Sequence, residues 1–171
     1  MLIENELTSE EIKSLRNLLE VEEIKNLRLR YSYFIDARQL DRVKEVFADD
    51  AVCRFGPYGT WEGIDAICNG YEETFKDTMD TPFAGMHVNT NHLVEVVSSV
   101  NAKGKAYLCD VITKNEDGTE ISEGESNFIW FALYNEEYVK ISGKWKIKVM
   151  DIHFFWPERL TSKDDLSAFK L

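Results

Sequence analysis

The chain has 171 residues, 44% of them apolar and 30% charged, and carries a formal net charge of −11 at pH 7. This length suits one domain with a sizeable core, and the balance excludes a disordered or membrane-embedded chain. The acidic excess argues against nucleic acid and anionic membrane surfaces as partners, because both demand clustered Lys and Arg.

In chain order, Thr8-Ser9-Glu10-Glu11 predicts a helix start, with a hydroxyl cap followed by acid in the first turn. Ile12, Leu15, Leu18 and Leu19 follow at helical spacing, and a second helical pattern begins near Val21 with Ile24, Leu27, Tyr31, Phe34 and Ile35 on one face. A short third helix is predicted over 40–47. The texture changes at Asp49-Asp50, where a strand over 51–55 runs into a turn at Gly56-Pro57. Trp61-Glu62-Gly63 leads into a helix over 64–76. Four long strands are then predicted over 85–98, 103–114, 123–141 and 144–156, with hairpin turns at 115–118 and at Ser142-Gly143. Three helices ahead of a strand, a helix and an antiparallel meander predict an α+β fold. Long strands beside few helices predict a curved, cone-shaped sheet whose concave face, covered by the helices, encloses an apolar pocket. One domain over 1–171 is expected, its core at about 20–156, with the first helix and the tail 157–171 as peripheral arms.

Cys53, Cys68 and Cys109 are odd in number and widely spaced, with no CxxC pair. Neither a disulfide framework nor a metal site is expected from them. The acidic opening MLIENELTSEE lacks the regions of a signal peptide. With no apolar run near about 20 residues, a cytoplasmic protein is the expectation. No GxGxxG, P-loop, GxSxG or HExxH motif occurs.

The stretches IKNLRLRYSYFIDARQLDRVKEVFADDAV, TWEGIDAI, HVNTNHLVEV and YNEEYVKISGKWKI, together spanning about 22–156, resemble the nuclear transport factor 2-like superfamily and, within it, the SnoaL-like group. That group holds polyketide cyclases, ketosteroid isomerase relatives, scytalone dehydratase and bile-acid 7α-dehydratase. The resemblance implies a cystatin-like α+β barrel. It implies a cofactor-independent lyase or isomerase, foremost a dehydratase, acting on a hydrophobic cyclic molecule. The same fold also hosts non-catalytic binders and assembly proteins such as dioxygenase small subunits, so fold alone does not select a reaction. A homodimer or homotrimer is expected.

From spacing alone, Asp36 reads as a helix-terminal residue bonding the next loop or as a carboxylate beside a pocket. The resemblance matches Tyr31 and Asp36 to active-site positions. On a regular strand, Met86, Val88, Thr90, His92, Val94 and Val96 share one face and point His92 inward. The resemblance points instead to His87, eight residues before Glu95. The two histidines are five apart, and a bulge near 89–91 would let both face inward. A His base, an Asp that orients it and a Tyr hydroxyl form a coherent set for removing a proton beside a carbonyl. Dehydratase relatives place a Tyr on the first strand where this chain has Phe55, so Tyr58 or Tyr33 is expected to stand in. Asp110 shares a face with Ala106, Leu108 and Ile112 and reads either as a solvated strand-edge carboxylate or as an inward second acid or base. Met86 and members of the aromatic set Phe128, Trp130, Phe131, Tyr134 and Trp145 are expected near the cavity, with Trp130 and Tyr134 lining it.

Overall fold

The structure is a computed structural model and describes residues 7–113, 119 and 129–157. Helix α1 runs over Ser9–Asp36 as one continuous element. Two helices were expected here. The break does not occur because nothing between Leu19 and Val21 stops a helix: no Gly, no Pro and no competing cap. Its start is a capping box. The Glu11 amide donates to Thr8 Oγ1 at 3.2 Å and the Thr8 amide donates to Glu11 Oε2 at 2.8 Å. The first turns touch little, and Leu15, Leu18 and Leu19 are exposed. From Ile24 onward the buried face carries Leu27, Arg28, Tyr31, Ser32, Ile35 and Asp36.

At the far end the chain turns sharply. Arg38 takes a positive φ of 57°, its amide donates to the Ile35 carbonyl at 3.1 Å, and its guanidinium returns to the same carbonyl at 2.8 Å. The carbonyls that a helix end leaves open are thus satisfied, and Asp36 sits in a fixed last turn. A 3₁₀ turn over Leu40–Glu45 replaces the predicted third helix. Strand β1 is Phe47–Arg54, β2 is Thr60–Glu62 and helix α2 is Ile64–Phe75. The long strands are β3 (Gly85–Val96), β4 (Asn101–Ile112), β5 (Ile129–Ile141) and β6 (Lys144–Trp156). The predicted turn at 115–118, the first six residues of the strand predicted over 123–141, Phe128 among them, and the tail from 158 lie outside the described residues.

The six strands form one unclosed sheet in the order β2-β1-β6-β5-β4-β3. The β3–β6 meander is antiparallel, as expected, whereas β1 lies parallel to β6. The sheet is therefore mixed. Between β1 and β6 the chain passes through β2, α2 and the strands β3 to β5, a connection long enough for a parallel pair. Helix α1 packs across the concave face. Large side chains occupy much of that concavity: Arg28, Tyr31, Phe47, Tyr134 and Tyr138 are all fully buried. Two close approaches need glycine. A Cβ at Gly70 would lie 2.5 Å from the Trp61 indole, and one at Gly104 would lie 2.9 Å from the Tyr138 ring and 3.1 Å from His92 Nε2. Trp61 thus packs on α2, against Phe55 and Tyr71. Among the described residues no helix is long and apolar enough to cross a membrane. Cys53, Cys68 and Cys109 are free thiols.

Candidate functional site

Asp36 and His87 meet where α1 ends against β3. His87 Nδ1 lies 2.6 Å from Asp36 Oδ1, and the His87 amide donates to Asp36 Oδ2 at 3.0 Å. One carboxylate therefore holds both the ring and the backbone of the same residue. The second bond has a structural cause. β3 is the sheet's edge, so the outward amide of His87 has no strand partner. Asp36 supplies one, and the Asn89 side-chain amide donates to the His87 carbonyl at 3.0 Å. Because an ionised carboxylate only accepts, Nδ1 carries the proton in the neutral ring and Nε2 keeps its lone pair. Burial works against the charged imidazolium, but the Asp36 hydrogen bond and the charges of Asp110 and Asp36 outweigh it and raise the His87 pKa above the ordinary value.

The β3–β4 register shifts between Thr90 and Leu93, and Asn91 adopts a φ of 51°. This bulge changes the parity of the strand. Before it, His87 and Asn89 turn inward while Met86, Val88 and Thr90 are exposed. After it, His92, Val94 and Val96 turn inward. The regular-strand grouping of Met86 and Val88 with His92 is corrected accordingly. His87 and His92 share a face but not an environment. His92 Nε2 lies 3.1 Å from the Tyr138 hydroxyl, which donates to Glu136 Oε2 at 2.6 Å. Tyr138 has one proton and Glu136 takes it, so His92 Nε2–H is the donor. Burial, together with the Arg28 and Lys25 charges, lowers the His92 pKa to about 4.

A buried network joins the two histidines. Arg28 Nη1 donates to Glu136 Oε1 at 2.8 Å, Arg28 Nε donates to Asn89 Oδ1 at 3.2 Å, and Asn89 donates to Ser32 Oγ at 2.6 Å. The Arg28 guanidinium also lies between the Tyr134 and Tyr31 rings, 3.5 and 4.2 Å from their centroids. Sequence reading missed Arg28 and Glu136. An Arg in a helical run reads as solvated, and only strand parity (Tyr134, Glu136 and Tyr138 on one face) could have signalled a buried partner.

Asp110 is the cross-strand neighbour of His87. Its Oδ1 is buried and makes no hydrogen bond among the described residues, and the same holds for the Tyr134 hydroxyl. Burial raises the Asp110 pKa, a charged His87 lowers it and Asp36 raises it further, with the net shift upward. Tyr31 is fully buried, edge-on to His87 at 6.3 Å, and its hydroxyl lies 2.6 Å from that of Tyr71. Burial pushes both phenols up, so they stay neutral donors. Phe55 packs on Trp61 and Tyr71. The hydroxyl beside Tyr31 thus comes from Tyr71 on α2, not from Tyr58 or Tyr33. Tyr58 is exposed against Phe154, and Trp130, paired across the strands with Asp110, packs on the same Phe154 ring. Tyr33 and Met86 are exposed and line a groove of about 770 Å³ along the α1–β3 seam, which also reaches Asp36 and His87. Among the described residues no group of three or more His, Cys, Asp or Glu is placed to hold a metal.

Comparison with known proteins places this geometry in a family. No curated protein matches the chain. A scytalone dehydratase-like protein from Novosphingobium aromaticivorans is 23% identical, with 81% of this chain and 85% of that one covered at a TM-score of 0.66. The hexachlorocyclohexane dehydrochlorinase from Novosphingobium barchaimii is 22% identical, covering 84% and 91% at a TM-score of 0.62. An NTF2-like protein with a cystatin-like fold from Novosphingobium aromaticivorans is 15% identical, covering 96% and 98% at a TM-score of 0.71. At these identities the likeness is one of fold. The SnoaL-like domain matches residues 16–151, most of the sequence, and the chain belongs to that family.

Proposed function

We propose that this protein is a cofactor-independent lyase of the dehydratase type, acting on a hydrophobic cyclic substrate that carries a carbonyl and a β-hydroxyl. The observation that carries this reading is the Asp36–His87 pair, with the imidazole held through Nδ1 and Nε2 left as the base. In the proposed reaction His87 Nε2 takes the proton α to the carbonyl. The C–H electrons form an enolate, whose oxygen is met by the Tyr134 or Tyr31 hydroxyl. The enolate collapses, the bond to the β-hydroxyl breaks, and the proton held on His87 Nε2 passes to the departing oxygen, so that water leaves and the imidazole is neutral again. Asp36 stabilises the imidazolium without itself becoming protonated. His92 is assigned a structural role, because its donor nitrogen is committed to Tyr138 and its neighbours are cationic.

The exposed apolar side chains Val88, Leu93, Tyr107 and Phe131 on the outer face of the sheet support a homo-oligomer. The decisive assay is elimination of water from a panel of cyclic β-hydroxyketones by the wild type and by His87→Gln. Loss of a general base should cut the rate about 10²–10⁴-fold. A panel on which both proteins bind but neither turns over would support a non-catalytic binder instead.

A further inference from the structure

Two buried donors on the concave face are left over by the contacts described so far. Arg28 Nη1 reaches Glu136 Oε1 at 2.8 Å and the Met150 sulfur at 3.3 Å, and Nε reaches Asn89 Oδ1. Arg28 Nη2 has no acceptor among the described residues, and the Tyr134 hydroxyl has no partner among them either. Both residues are fully buried. Unpartnered buried donors are costly and rare, and each needs a cause. These two share one location. The guanidinium carbon stacks 3.5 Å from the Tyr134 ring centroid, which brings Nη2 and the hydroxyl within reach of a single acceptor, a span of about 6 Å at ordinary hydrogen-bond lengths. The Tyr31 hydroxyl is already paired with Tyr71. The Tyr31 ring borders both the cation and the proposed base, its centroid 4.2 Å from the guanidinium carbon and 6.3 Å from the His87 ring centroid.

We infer that Arg28 Nη2 and the Tyr134 hydroxyl form an oxyanion site, with Arg28 a catalytic residue that binds the substrate's carbonyl oxygen. The inference rests on the reading of His87 as the base, and it adds a cation to the hydroxyl that meets the enolate. As His87 Nε2 takes the α-proton, the electron pair of the broken C–H bond moves onto the carbonyl oxygen, and both donors meet it there. Glu136 already balances the Arg28 charge at 2.8 Å. A carboxylate bound there would leave the cluster net negative, whereas a ketone oxygen arrives neutral and gains its charge only in the transition state. The site therefore selects neutral carbonyl compounds over carboxylic acids. Stacking adds to the effect. The Arg28 charge favours the anionic form of the Tyr134 phenol against its burial, which strengthens the O–H as a donor.

The test uses 4-nitrophenol, an enolate mimic whose phenolate absorbs visible light, titrated into the full chain in buffer acidic enough to keep the free phenol un-ionised. The wild type should bind it saturably as the phenolate. Tyr134→Phe should weaken this binding about tenfold or more. Its Tm should not fall, because the hydroxyl it removes makes no hydrogen bond among the described residues. Arg28→Met combined with Glu136→Leu keeps the core filled and should abolish the phenolate band. Absence of saturable phenolate binding overturns the inference. So does binding undiminished in either variant, the result expected if the two donors hold only a buried water. His87→Gln separates the two readings. Lost turnover of the β-hydroxyketones with phenolate binding retained supports both. Retained turnover with phenolate binding retained removes the base and leaves the oxyanion site standing. A phenolate band lost in His87→Gln but kept in Tyr134→Phe puts the anion on the imidazolium and overturns the inference, while the base assignment stands.

Discussion

Asp36→Asn removes a charge and keeps the shape, so it isolates what the carboxylate does for His87. In the wild type the imidazolium is stabilised by a 2.6 Å charge-assisted hydrogen bond within a side-chain pair only 10–15% exposed. Bonds of this class contribute about 1.5–3 kcal/mol, and at this burial little of that is lost to solvent screening. The sign follows from linkage. The folded His87 pKa is raised, so the stabilisation is fully present below the unfolded value of about 6.5 and fades as pH rises through the folded value. Urea denaturation of both proteins should therefore show a gap of about 1.5–3 kcal/mol near roughly pH 5.5. At roughly pH 9, where the ring is neutral in both, the gap should shrink to that of a neutral hydrogen bond, about 1 kcal/mol. Imidazole NMR should show the His87 pKa moving down in the variant. A gap independent of pH, or an unmoved His87 titration, refutes the pairing. The substitution also tests the strand edge, since the His87 amide can still donate to the Asn side-chain oxygen.

Four further outcomes are expected. Glu136→Ala leaves the Arg28 guanidinium buried without its counterion and should cost about 3–5 kcal/mol, whereas Arg28→Met combined with Glu136→Leu should recover most of that in the same urea assay. Gly70→Ala drives a methyl into the Trp61 indole and should destabilise by about 1–3 kcal/mol despite alanine's better helix propensity, read by thermal unfolding. Tyr71→Phe removes the 2.6 Å hydroxyl contact to Tyr31 and should cost about 1 kcal/mol in stability and lower the turnover of any substrate found. Thr8→Ala should raise hydrogen exchange in the first turns of α1 by about 1 kcal/mol of local opening while global unfolding hardly moves, because Leu15, Leu18 and Leu19 of those turns are exposed.

How far the sequence speaks depends on which physics a residue obeys. The meander from 85 to 156 was legible because period-two patterning and turn residues are local signals, and β6 coincides with its predicted bounds. The continuity of α1 was not. A shift in the apolar face resembles a break, yet only a stop signal makes one. The parallel seat of β1 against β6 was hidden as well, since register between distant strands leaves no local mark. The Asp36–His87 pairing was suggested by resemblance. The Tyr31–Tyr71 contact spans 40 residues and had no sequence signal at all.

The two histidines show why the site cannot be read from residue type. His87 and His92 lie on one strand, and the bulge between them turns both toward the interior. Their ordinary titration would be identical. The Arg28 charge disfavours the imidazolium of both, and what separates them is the rest of their company: Asp36 and Asp110 around His87, Lys25 beside His92. Burial disfavours the charged form of both, and neighbouring charge decides which shift survives. The carboxylates overcome it at His87 and favour the imidazolium there. The cations add to it at His92 and hold that ring neutral, as a donor to Tyr138. The same Arg28 reaches Asn89 with its Nε and Glu136 with its Nη1. One buried cation from α1 thereby ties the bulged strand to β5 and suppresses the charge of His92, leaving His87 as the histidine able to serve as base.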